Sequence, residues 1–542
     1  MAVYEKPPKY IAYGTAGFRD KAAVLDTILY RVGLVAAMRS RYLKGETVGV
    51  MITASHNPPA DNGAKIVDPY GDMLEQSWEP KVTKIANAQS STECTKLVSE
   101  MYAELSIDKS LPAVVQYARD TRESGRRLAD ALSDGLAAAD ARIGDLGILT
   151  TPQLHYTVRA VNTLGGPENN SRHLESYGVP SEVGYYKKMA TALRAAMTSS
   201  RTHEPPLAIT LDCANGVGAI KMKEMASYVQ EYVDVTVVND ECFKPELLNM
   251  DCGADYVKTN QRLPRGVEPK PNALCASFDG DADRVVFYYV DDEEVFHLLD
   301  GDKIATLIAA FLKTVIQHAG SKIESAGNKI DIGVVQTAYA NGSSTEYITS
   351  KLGLPVACTP TGVKHLHHAA QEFDIGVYFE ANGHGTVLFA DEPVQQLRQT
   401  AVHNEAERRS IDTLLALSDL INQTVGDAIS DLLAVVAILV IDRLTPKDWD
   451  RQYQDLPNRL LKADVKDRTL FVTTDAERRL VSPDGLQDQI NELVSKVIKG
   501  RSFVRASGTE DVVRIYAEAE SRVAADTLAE DVKQLIVKNY GR

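Results

Sequence analysis

The sequence predicts an α/β protein of several domains in which parallel strands dominate. Short runs of β-branched and apolar residues alternate with amphipathic stretches of helix length through most of the 542 residues. This alternation is typical of layered α/β domains. At about 150 residues per domain, the length corresponds to roughly three or four domains.

Seven apolar runs are the clearest strand candidates, at residues 48–54, 113–118, 207–211, 233–238, 275–278, 332–336 and 375–379. Three of them end directly in the polar loops SHNP, DGDADR and EANGHG. Open α/β sheets bind ligands beyond the carboxyl ends of their strands, so we expect these loops to line one cleft. The apolar run at 432–441 is far shorter than the roughly 20 residues of a membrane span and predicts a buried helix.

Composition and charge exclude several classes of protein. The chain has a net charge of −15, with 44% hydrophobic and 25% charged residues, as in ordinary globular proteins. A nucleic-acid-binding domain would show a basic footprint instead. The first residues lack the apolar core of a secretory signal, and the six cysteines form no CxxC pair. We therefore expect a cytoplasmic protein with no nucleic-acid or membrane partner, and the sequence carries no sign of its oligomeric state.

Domain boundaries are predicted where linker-like residues interrupt the periodic segments. The cluster LGGPENNSR, a turn after the predicted strand 285–290, and the Leu-Thr-Pro sequence at 444–446 are the three candidates. They divide the chain into residues 1–175, 176–298, 299–443 and 444–542. The last segment is predicted to form a short α+β domain with a hairpin around a polar loop at 503–519.

Ser55 lies in the loop SHNP, which follows a predicted strand. Such a loop is most often a polar turn before proline. A hydroxyl at the end of a strand is also well placed to act as a nucleophile or as a phosphoryl carrier. The motif alone does not decide between the two.

Three carboxylates alternate in the loop DGDADR. In an extended loop the side chains of Asp279, Asp281 and Asp283 point the same way, so they can converge on one hard cation. A calcium EF-hand is excluded because Arg284 and Val290 stand where it needs Gly and Glu. A phosphatase with an Asp nucleophile in a DxDx(T/V) motif at 281–285 remains an alternative, although the residues before it are not apolar.

The loop EANGHG offers groups that suit sugar hydroxyls. Glu380, Asn382 and His384 supply acceptors and donors, and the glycines let the backbone approach a ligand. His384 by itself would more often be structural than catalytic.

The segment RASGTED with Arg514 predicts a phosphate cradle. Arg505 and Arg514 supply guanidinium groups, and Ser507 and Thr509 supply hydroxyls around Gly508. The alternative is a surface turn with a salt bridge.

Taken together and in this order, the four loops resemble the active-site loops of the α-D-phosphohexomutase family. The resemblance extends over nearly the whole chain, including YGTAGFR near the start and TPTGVK at 359–364. Segments such as DTRESG and GVYFEANGHGT are most similar to the branch that acts on N-acetylglucosamine phosphates. Phe379 and Asn382 stand where many members have Gly and Ser, and Ala506 replaces a usual proline.

The resemblance implies a four-domain architecture with three α/β domains of mixed sheets and a smaller α+β C-terminal domain. It implies a mutase that interconverts N-acetylglucosamine 6-phosphate and 1-phosphate through a sugar 1,6-bisphosphate, for UDP-N-acetylglucosamine synthesis. A Mg²⁺-dependent phosphatase and a sugar-phosphate sensor are the rival functions.

The resemblance also assigns roles to residues. Ser55 would carry the phosphoryl group and hold Mg²⁺ with Asp279, Asp281 and Asp283, while His56, Lys65 and Arg284 would assist catalysis. Proton transfer is left open between His56, Lys65 and His384. The residues expected to bind the substrate are Thr361, Gly362, Glu380, Ala381, Asn382, His384, Arg505, Ala506, Ser507, Gly508, Thr509 and Arg514.

Overall fold

The computed structural model describes residues 4–199, 205–319, 330–400, 402, 404–507 and 511–542. It divides the chain into two compact units. The first unit contains Met1–Asp300, Asn382–Thr386 and Val394–Pro446, and the second contains Gly301–Ala381, Val387–Pro393 and Lys447–Arg542.

Helices alternate with strands along most of the chain, as predicted. The helices are α1 (Asp26–Tyr42), α2 (Glu79–Ala86), α3 (Ser91–Glu104), α4 (Gly125–Ala138), α5 (Thr151–Asn162), α6 (Glu182–Ser199), α7 (Val217–Val229), α8 (Ala254–Asn260), α9 (Gly301–Ala319), α10 (Gly342–Glu346), α11 (Val363–Ala370), α12 (Asp391–Gln399), α13 (Glu405–Leu420), α14 (Ala428–Ile441), α15 (Pro446–Asp450), α16 (Leu486–Val494) and α17 (Arg522–Tyr540).

The first sheet has the order β1-β3-β2-β4-β5. Its strands are β1 (Phe18–Lys21), β2 (Thr47–Ile52), β3 (Asp61–Val67), β4 (Ala113–Arg119) and β5 (Ala141–Ile148). Strands β2, β4 and β5 are parallel, whereas β3 is antiparallel to β1 and β2. Every residue of β2 is buried, as expected for a strand covered on both faces. The carboxyl end of β2 leads directly to Ser55.

The second sheet repeats this balance of strand directions, with the order β10-β9-β8-β6-β7. Its strands are β6 (Leu207–Asp212), β7 (Val233–Val238), β8 (Leu274–Phe278), β9 (Val285–Val290) and β10 (Phe296–Leu299). Strand β6 is parallel to β7 and β8, and β9 is antiparallel to β8 and β10. The connection from β8 to β9 carries the three aspartates.

The second unit contains the remaining strands. The third sheet has the order β12-β11-β13-β14, from β11 (Ile332–Thr337), β12 (Val356–Thr359), β13 (Ile375–Phe379) and β14 (Gly385–Phe389). A hairpin is formed by β16 (Val472–Thr474) and β17 (Arg479–Ser482). The last sheet, β15-β19-β18, is antiparallel and consists of β15 (Asn458–Asp464), β18 (Arg501–Ala506) and β19 (Val512–Glu518).

The seven predicted strands are confirmed, with ends that differ by at most two residues. The sheets are mixed, because the first two combine two parallel with two antiparallel pairs each. The expectation that parallel strands dominate is therefore too strong. The apolar run 432–441 forms most of α14, which is buried as predicted. Among the described residues, no helix is both long enough and apolar enough to cross a membrane.

Candidate active site

Ser55 is the third residue after the end of β2 and is fully buried. Its backbone has φ of +51°, in the left-handed region that residues other than glycine rarely adopt. The Ser55 amide donates to Thr53 Oγ1 at 2.9 Å, and its hydroxyl donates to Asp279 Oδ2 at 2.6 Å. The predicted phosphoryl carrier is therefore bonded directly to the first of the predicted metal ligands.

The three aspartates converge as predicted. One carboxylate oxygen from each of Asp279, Asp281 and Asp283 lies within 4.8 Å of the others, and all three residues are buried. Asp279 Oδ1 shapes the loop, because it accepts hydrogen bonds from the backbone N–H groups of Asp283 and Arg284 at 3.1 and 3.2 Å. The first carboxylate of the loop thus stabilises the turn, and the other two carboxylates lie close to it.

Two groups from the first sheet's domain contact this carboxylate cluster. Lys65 Nζ lies 3.3 Å from Asp281 Oδ2 and 3.1 Å from Asp283 Oδ2. Thr151 Oγ1 donates to Asp281 Oδ2 at 2.6 Å, and the Thr151 amide donates to the Asp281 carbonyl at 3.2 Å. Thr151 is the first residue of α5, and the positive end of a helix dipole favours a carboxylate at that position.

Burial and nearby charges shift the pKa values of the three carboxyl groups in different directions. Burial raises the pKa of Asp279 well above its ordinary value, and the carboxylates of Asp283 and Asp281 raise it further. Burial also opposes ionisation of the other two, but nearby groups outweigh it: Lys65 helps lower the pKa of Asp281, and Lys65 and the contact with His384 lower that of Asp283 well below its usual range. Lys65 in turn has a raised pKa, because these carboxylates outweigh its own burial.

The chemistry of the cluster fits a divalent cation. Asp281 Oδ1 is buried and accepts no hydrogen bond from the described residues. A buried carboxylate oxygen without a donor is costly unless a cation neutralises it. Carboxylate and hydroxyl oxygens are also the ligands that Mg²⁺ prefers. Asp279, Asp281, Asp283 and the Ser55 oxygen are therefore the groups that would hold the ion.

His56 lies close to Ser55, and Arg284 lies close to the carboxylate cluster. His56 Nδ1 is 3.4 Å from Ser55 Oγ, and burial, followed by the charge of Arg284, lowers the pKa of His56 to about 4. Arg284 Nη1 contacts both oxygens of Asp255 at 2.8 and 2.9 Å, and its Nε lies 3.7 Å from Asp283 Oδ1. Arg19, which is partly exposed, donates to the Asn57 side chain at 3.4 Å.

The predicted sugar loop is divided between the two units. Asn382 and His384 belong to the first unit, where His384 Nδ1 lies 3.2 Å from Asp283 Oδ1 and the Asn382 side chain accepts from the His384 amide at 3.1 Å. His384 thus contacts the carboxylate cluster. Glu380 and Ala381 belong to the second unit and are both partly exposed.

The predicted phosphate-binding residues lie in the second unit. Arg505 on β18 and Arg514 on β19 are cross-strand neighbours, so the predicted hairpin is confirmed and places two guanidinium groups side by side. Ala506 ends β18, and Ser507 closes the strand pair with its amide on the Val512 carbonyl at 2.9 Å. Gly508 and Thr509 lie outside the described residues.

Glu477 joins two of the predicted ligand-binding elements. Its carboxylate contacts Arg505 Nη1 at 2.8 and 3.0 Å and accepts from both the amide and the hydroxyl of Thr361, at 2.9 and 2.5 Å. Gly362, with φ of +131°, follows at the start of α11. A carboxylate here engages the same donors that the sequence assigns to phosphate.

Several site residues were missed by the sequence analysis: Asp120, Arg122, Thr151, Asn249, Asp255 and Glu477. They stand outside the four loops, although Asp120 and Arg122 lie in the segment DTRESG, which resembles the family. That resemblance was the only available signal. Their roles depend on which residues they meet in the folded protein.

The mixed sheets and a serine bonded to a cluster of three aspartates place the chain in the class of phosphohexomutases. Family models agree along the chain. Phosphoglucomutase/phosphomannomutase, alpha/beta/alpha domain I, matches residues 31–93 and 94–166, and the C-terminal domain of the same group matches 460–535. Phosphoacetylglucosamine mutase AMG1, domains II and III, match residues 175–286 and 300–444.

The chain belongs to the phosphoacetylglucosamine mutase family. It is 50% identical to the phosphoacetylglucosamine mutase of Candida albicans over 97% of this chain and 96% of that protein. The Aspergillus fumigatus N-acetylphosphoglucosamine mutase in complex with GlcNAc-6P and magnesium is 51% identical, with a TM-score of 0.93 over 99% of this chain and 97% of that one. A variant of that enzyme in complex with glucose 1,6-bisphosphate is 50% identical, with a TM-score of 0.92 over 100% and 98% of the two chains.

Proposed function

We propose that this chain is a Mg²⁺-dependent mutase that interconverts N-acetylglucosamine 6-phosphate and N-acetylglucosamine 1-phosphate. The observation that carries the proposal is the hydrogen bond from Ser55 Oγ to Asp279 Oδ2 at 2.6 Å. It places a hydroxyl that can carry phosphate in a buried cluster of three carboxylates. Membership of the family supplies the substrate class.

The reaction transfers one phosphoryl group out from Ser55 and another back. In the first step the bond between phosphorus and Ser55 Oγ breaks, a bond from phosphorus to the free sugar hydroxyl forms, and that hydroxyl loses its proton. The resulting 1,6-bisphosphate reorients. In the second step the bond between its other phosphorus and the sugar oxygen breaks and a bond from that phosphorus to Ser55 Oγ forms. The sugar oxygen takes up a proton as the serine hydroxyl loses one, which leaves the isomeric monophosphate and regenerates the phosphoenzyme.

The residues around Ser55 stabilise charge on the transferring group. A bound Mg²⁺ would supply electrostatic stabilisation of the phosphoryl oxygens. Lys65, Arg284 and Arg19 add positive charge within the same buried site. Because phosphoryl transfer depends mainly on positioning and charge, these groups form a sufficient set.

The family resemblance assigns substrate recognition to two sets of residues. Asn382 and His384, with Glu380 and Ala381, bind the sugar. Thr361, Gly362 and the hairpin residues Arg505, Ala506, Ser507, Gly508, Thr509 and Arg514 bind the phosphate that does not react. Of the three candidates for proton transfer, His56 has a ring nitrogen 3.4 Å from Ser55 Oγ. His384 and Lys65 contact the carboxylates instead.

A single assay tests the proposal against its rivals. The protein is incubated with N-acetylglucosamine 6-phosphate, Mg²⁺ and a trace of glucose 1,6-bisphosphate, and the sugar 1-phosphate and inorganic phosphate are both measured. We expect the 1-phosphate without net phosphate release. Stoichiometric release of phosphate would identify a phosphatase, and binding without turnover would identify a sensor. The same assay with glucose and mannose phosphates measures selectivity.

Ser55→Ala is the matched variant. It should lose turnover and should no longer acquire the mass of one phosphoryl group from the bisphosphate. Folding should be retained, because only the hydroxyl group is removed. Turnover at the wild-type rate in this variant would exclude Ser55 as the carrier.

We also propose a cytoplasmic enzyme that supplies UDP-N-acetylglucosamine synthesis. The six cysteines are free thiols, and five of them are buried. Free thiols suit a reducing compartment. Cell fractionation with an antibody against the chain tests the location, and recovery of the protein in a secretory fraction would contradict it.

A further inference from the structure

Arg122 is a fully buried arginine next to the serine loop, and its guanidinium group uses all five of its N–H donors. Nε donates to Asp120 Oδ2 at 3.1 Å. Nη1 donates to the carbonyls of Pro58 and Asp61 at 2.7 and 2.8 Å, and Nη2 donates to the carbonyls of Ser55 and Asn57, both at 2.8 Å. One side chain therefore binds three carbonyl groups of the loop that contains Ser55 and the carbonyl of the first residue of β3.

Asp120, the ion-pair partner of Arg122, is connected to the Ser55 amide through the Thr53 hydroxyl. Its Oδ2 accepts from Thr53 Oγ1 at 2.7 Å, and Thr53 Oγ1 accepts from the Ser55 amide at 2.9 Å. Both the N–H and the C=O of Ser55 are thus tied to the same buried pair. Asp120 and Arg122 each have a side-chain exposure of 0%.

Asn249, from the second sheet's domain, donates to two of the four carbonyls that Arg122 binds. Its Nδ2 donates to the carbonyls of Ser55 and Asn57 at 2.9 and 3.1 Å. The Ser55 and Asn57 carbonyls therefore each accept from Arg122 and from Asn249. No direct contact of Arg122 with a carboxylate of the metal cluster appears among the described hydrogen bonds and ion pairs.

This network opposes a local strain. A left-handed conformation is unfavourable for a residue other than glycine. The Ser55 carbonyl accepts from the charged Arg122 side chain, and such hydrogen bonds are stronger than neutral ones, so the bonds to Ser55 oppose that cost. Without them, the backbone is free to relax towards negative φ, and Ser55 Oγ would move away from Asp279.

We infer that Asp120 and Arg122 are positioning residues for phosphoryl transfer, which hold Ser55 in its left-handed conformation and so aim its Oγ at the metal cluster. This inference rests on the proposed function of Ser55 as the phosphoryl carrier. Arg122 acts through the loop backbone and needs its planar fork, because lysine has three donors on a single nitrogen and cannot reach four carbonyls and a carboxylate.

Two substitutions and one control test the inference. Arg122→Lys keeps the charge but loses the fork, and Thr53→Val keeps the shape but removes the acceptor for the Ser55 amide. Arg39→Lys is the matched control, because Arg39 also forms a buried pair, with Asp68 at 2.6 Å, and its hydrogen bonds in the described part of the chain go to Asp68 and Glu75, outside the serine loop. The full chain is assayed with Mg²⁺, N-acetylglucosamine 6-phosphate and glucose 1,6-bisphosphate.

We expect Arg122→Lys to lower kcat by about 100-fold, the effect of a displacement of about 1 Å at a reacting group. KM should change by less than about threefold, because no substrate contact is lost. Amide hydrogen exchange in the peptide containing residues 53–61 should become faster in Arg122→Lys and Thr53→Val, with or without Mg²⁺. Arg39→Lys should retain kcat and the exchange rate of this peptide.

Rescue separates positioning from a general loss of stability. Arg122→Ala leaves a buried cavity of guanidinium shape, and added guanidinium ion at low millimolar concentration should restore part of the lost kcat. If Arg122→Lys and Thr53→Val both keep wild-type kcat and exchange, or if Arg39→Lys loses as much kcat, the inference is overturned while the proposed function stands. An inactive wild-type protein would overturn the proposed function instead.

Discussion

Ser55 Oγ lies 2.6 Å from Asp279 Oδ2, although 224 positions separate the two residues along the chain. Each residue follows a buried strand, β2 for Ser55 and β8 for Asp279, so the carboxyl ends of strands from two sheets meet. Gly280 permits this approach, because a Cβ at that position would lie 2.5 Å from the Ser55 carbonyl oxygen. The proposed phosphoryl transfer depends on this one junction.

Thr151→Val should weaken activation by Mg²⁺. The hydroxyl donates to Asp281 Oδ2 at 2.6 Å and orients that carboxylate. Loss of such a supporting bond typically reduces metal affinity by about 10–100-fold. Turnover titrated with Mg²⁺ after treatment with EDTA measures the change. Thr157→Val is the control, because the Thr157 hydroxyl on the same helix donates only to the Gln153 carbonyl. Equal effects in both variants would contradict a role for Thr151 at the metal.

Lys65→Met should destabilise the metal-free protein and increase its stabilisation by Mg²⁺. The ammonium group neutralises Asp281 and Asp283, and removal of one partner from a buried ion pair costs about 3–5 kcal/mol. A divalent ion then restores the missing charge, so the rise in Tm on adding Mg²⁺ should exceed that of the wild type. Lys188→Met is the control, since Lys188 has 16% side-chain exposure against 15% for Lys65 and pairs with Asp419. A similar Mg²⁺ response in both variants would argue against this relationship.

Glu477→Gln should lower KM for the sugar monophosphate. The Glu477 carboxylate now holds Arg505 and Thr361, which we assign to phosphate, so it competes with the substrate for them. Removal of one negative charge near the site is worth on the order of 1 kcal/mol, or about fivefold in KM. Steady-state kinetics provide the measurement, with the exposed Glu492→Gln as control. A raised KM would show that Glu477 orients Arg505 rather than competing for it.

Asp427 should make the protein less stable as the pH rises from 4 to 6. This residue caps α14, and burial raises its pKa to about 6. Between its unfolded and folded pKa values, only the folded protein holds the proton, so the contribution is present at low pH and is lost as pH rises through the folded pKa. The total is about 3 kcal/mol. The free energies of unfolding of the wild type and of Asp427→Asn are measured in urea between pH 4 and 7. The wild-type value should fall relative to that of the variant as the pH rises, and a constant difference between the two would contradict this prediction.

Much of the fold was predictable because it depends on local patterns. The runs around Val50 and Val377 are apolar over a strand's length, and the structure confirms both as strands. The run at 432–441 is apolar on all sides, as a buried helix requires, and this one is buried. The carboxylate cluster was also predictable, since Asp279, Asp281 and Asp283 are neighbours in sequence. The domain boundaries at 175, 298 and 443 stay predictions.

The chain's sequence by itself determined the order of helices and strands, the four loops with reactive or ligand-binding side chains, and the family to which the chain belongs. Each of these features depends on residues that are neighbours in the sequence. Only the tertiary structure decided that Arg122 and Asp120 hold the Ser55 loop, that Thr151 orients Asp281, and that Glu477 pairs with Arg505. These contacts join side chains that stand alone in sequence, and a hydrogen bond exists only where the folded chain brings a donor within about 3 Å of its acceptor.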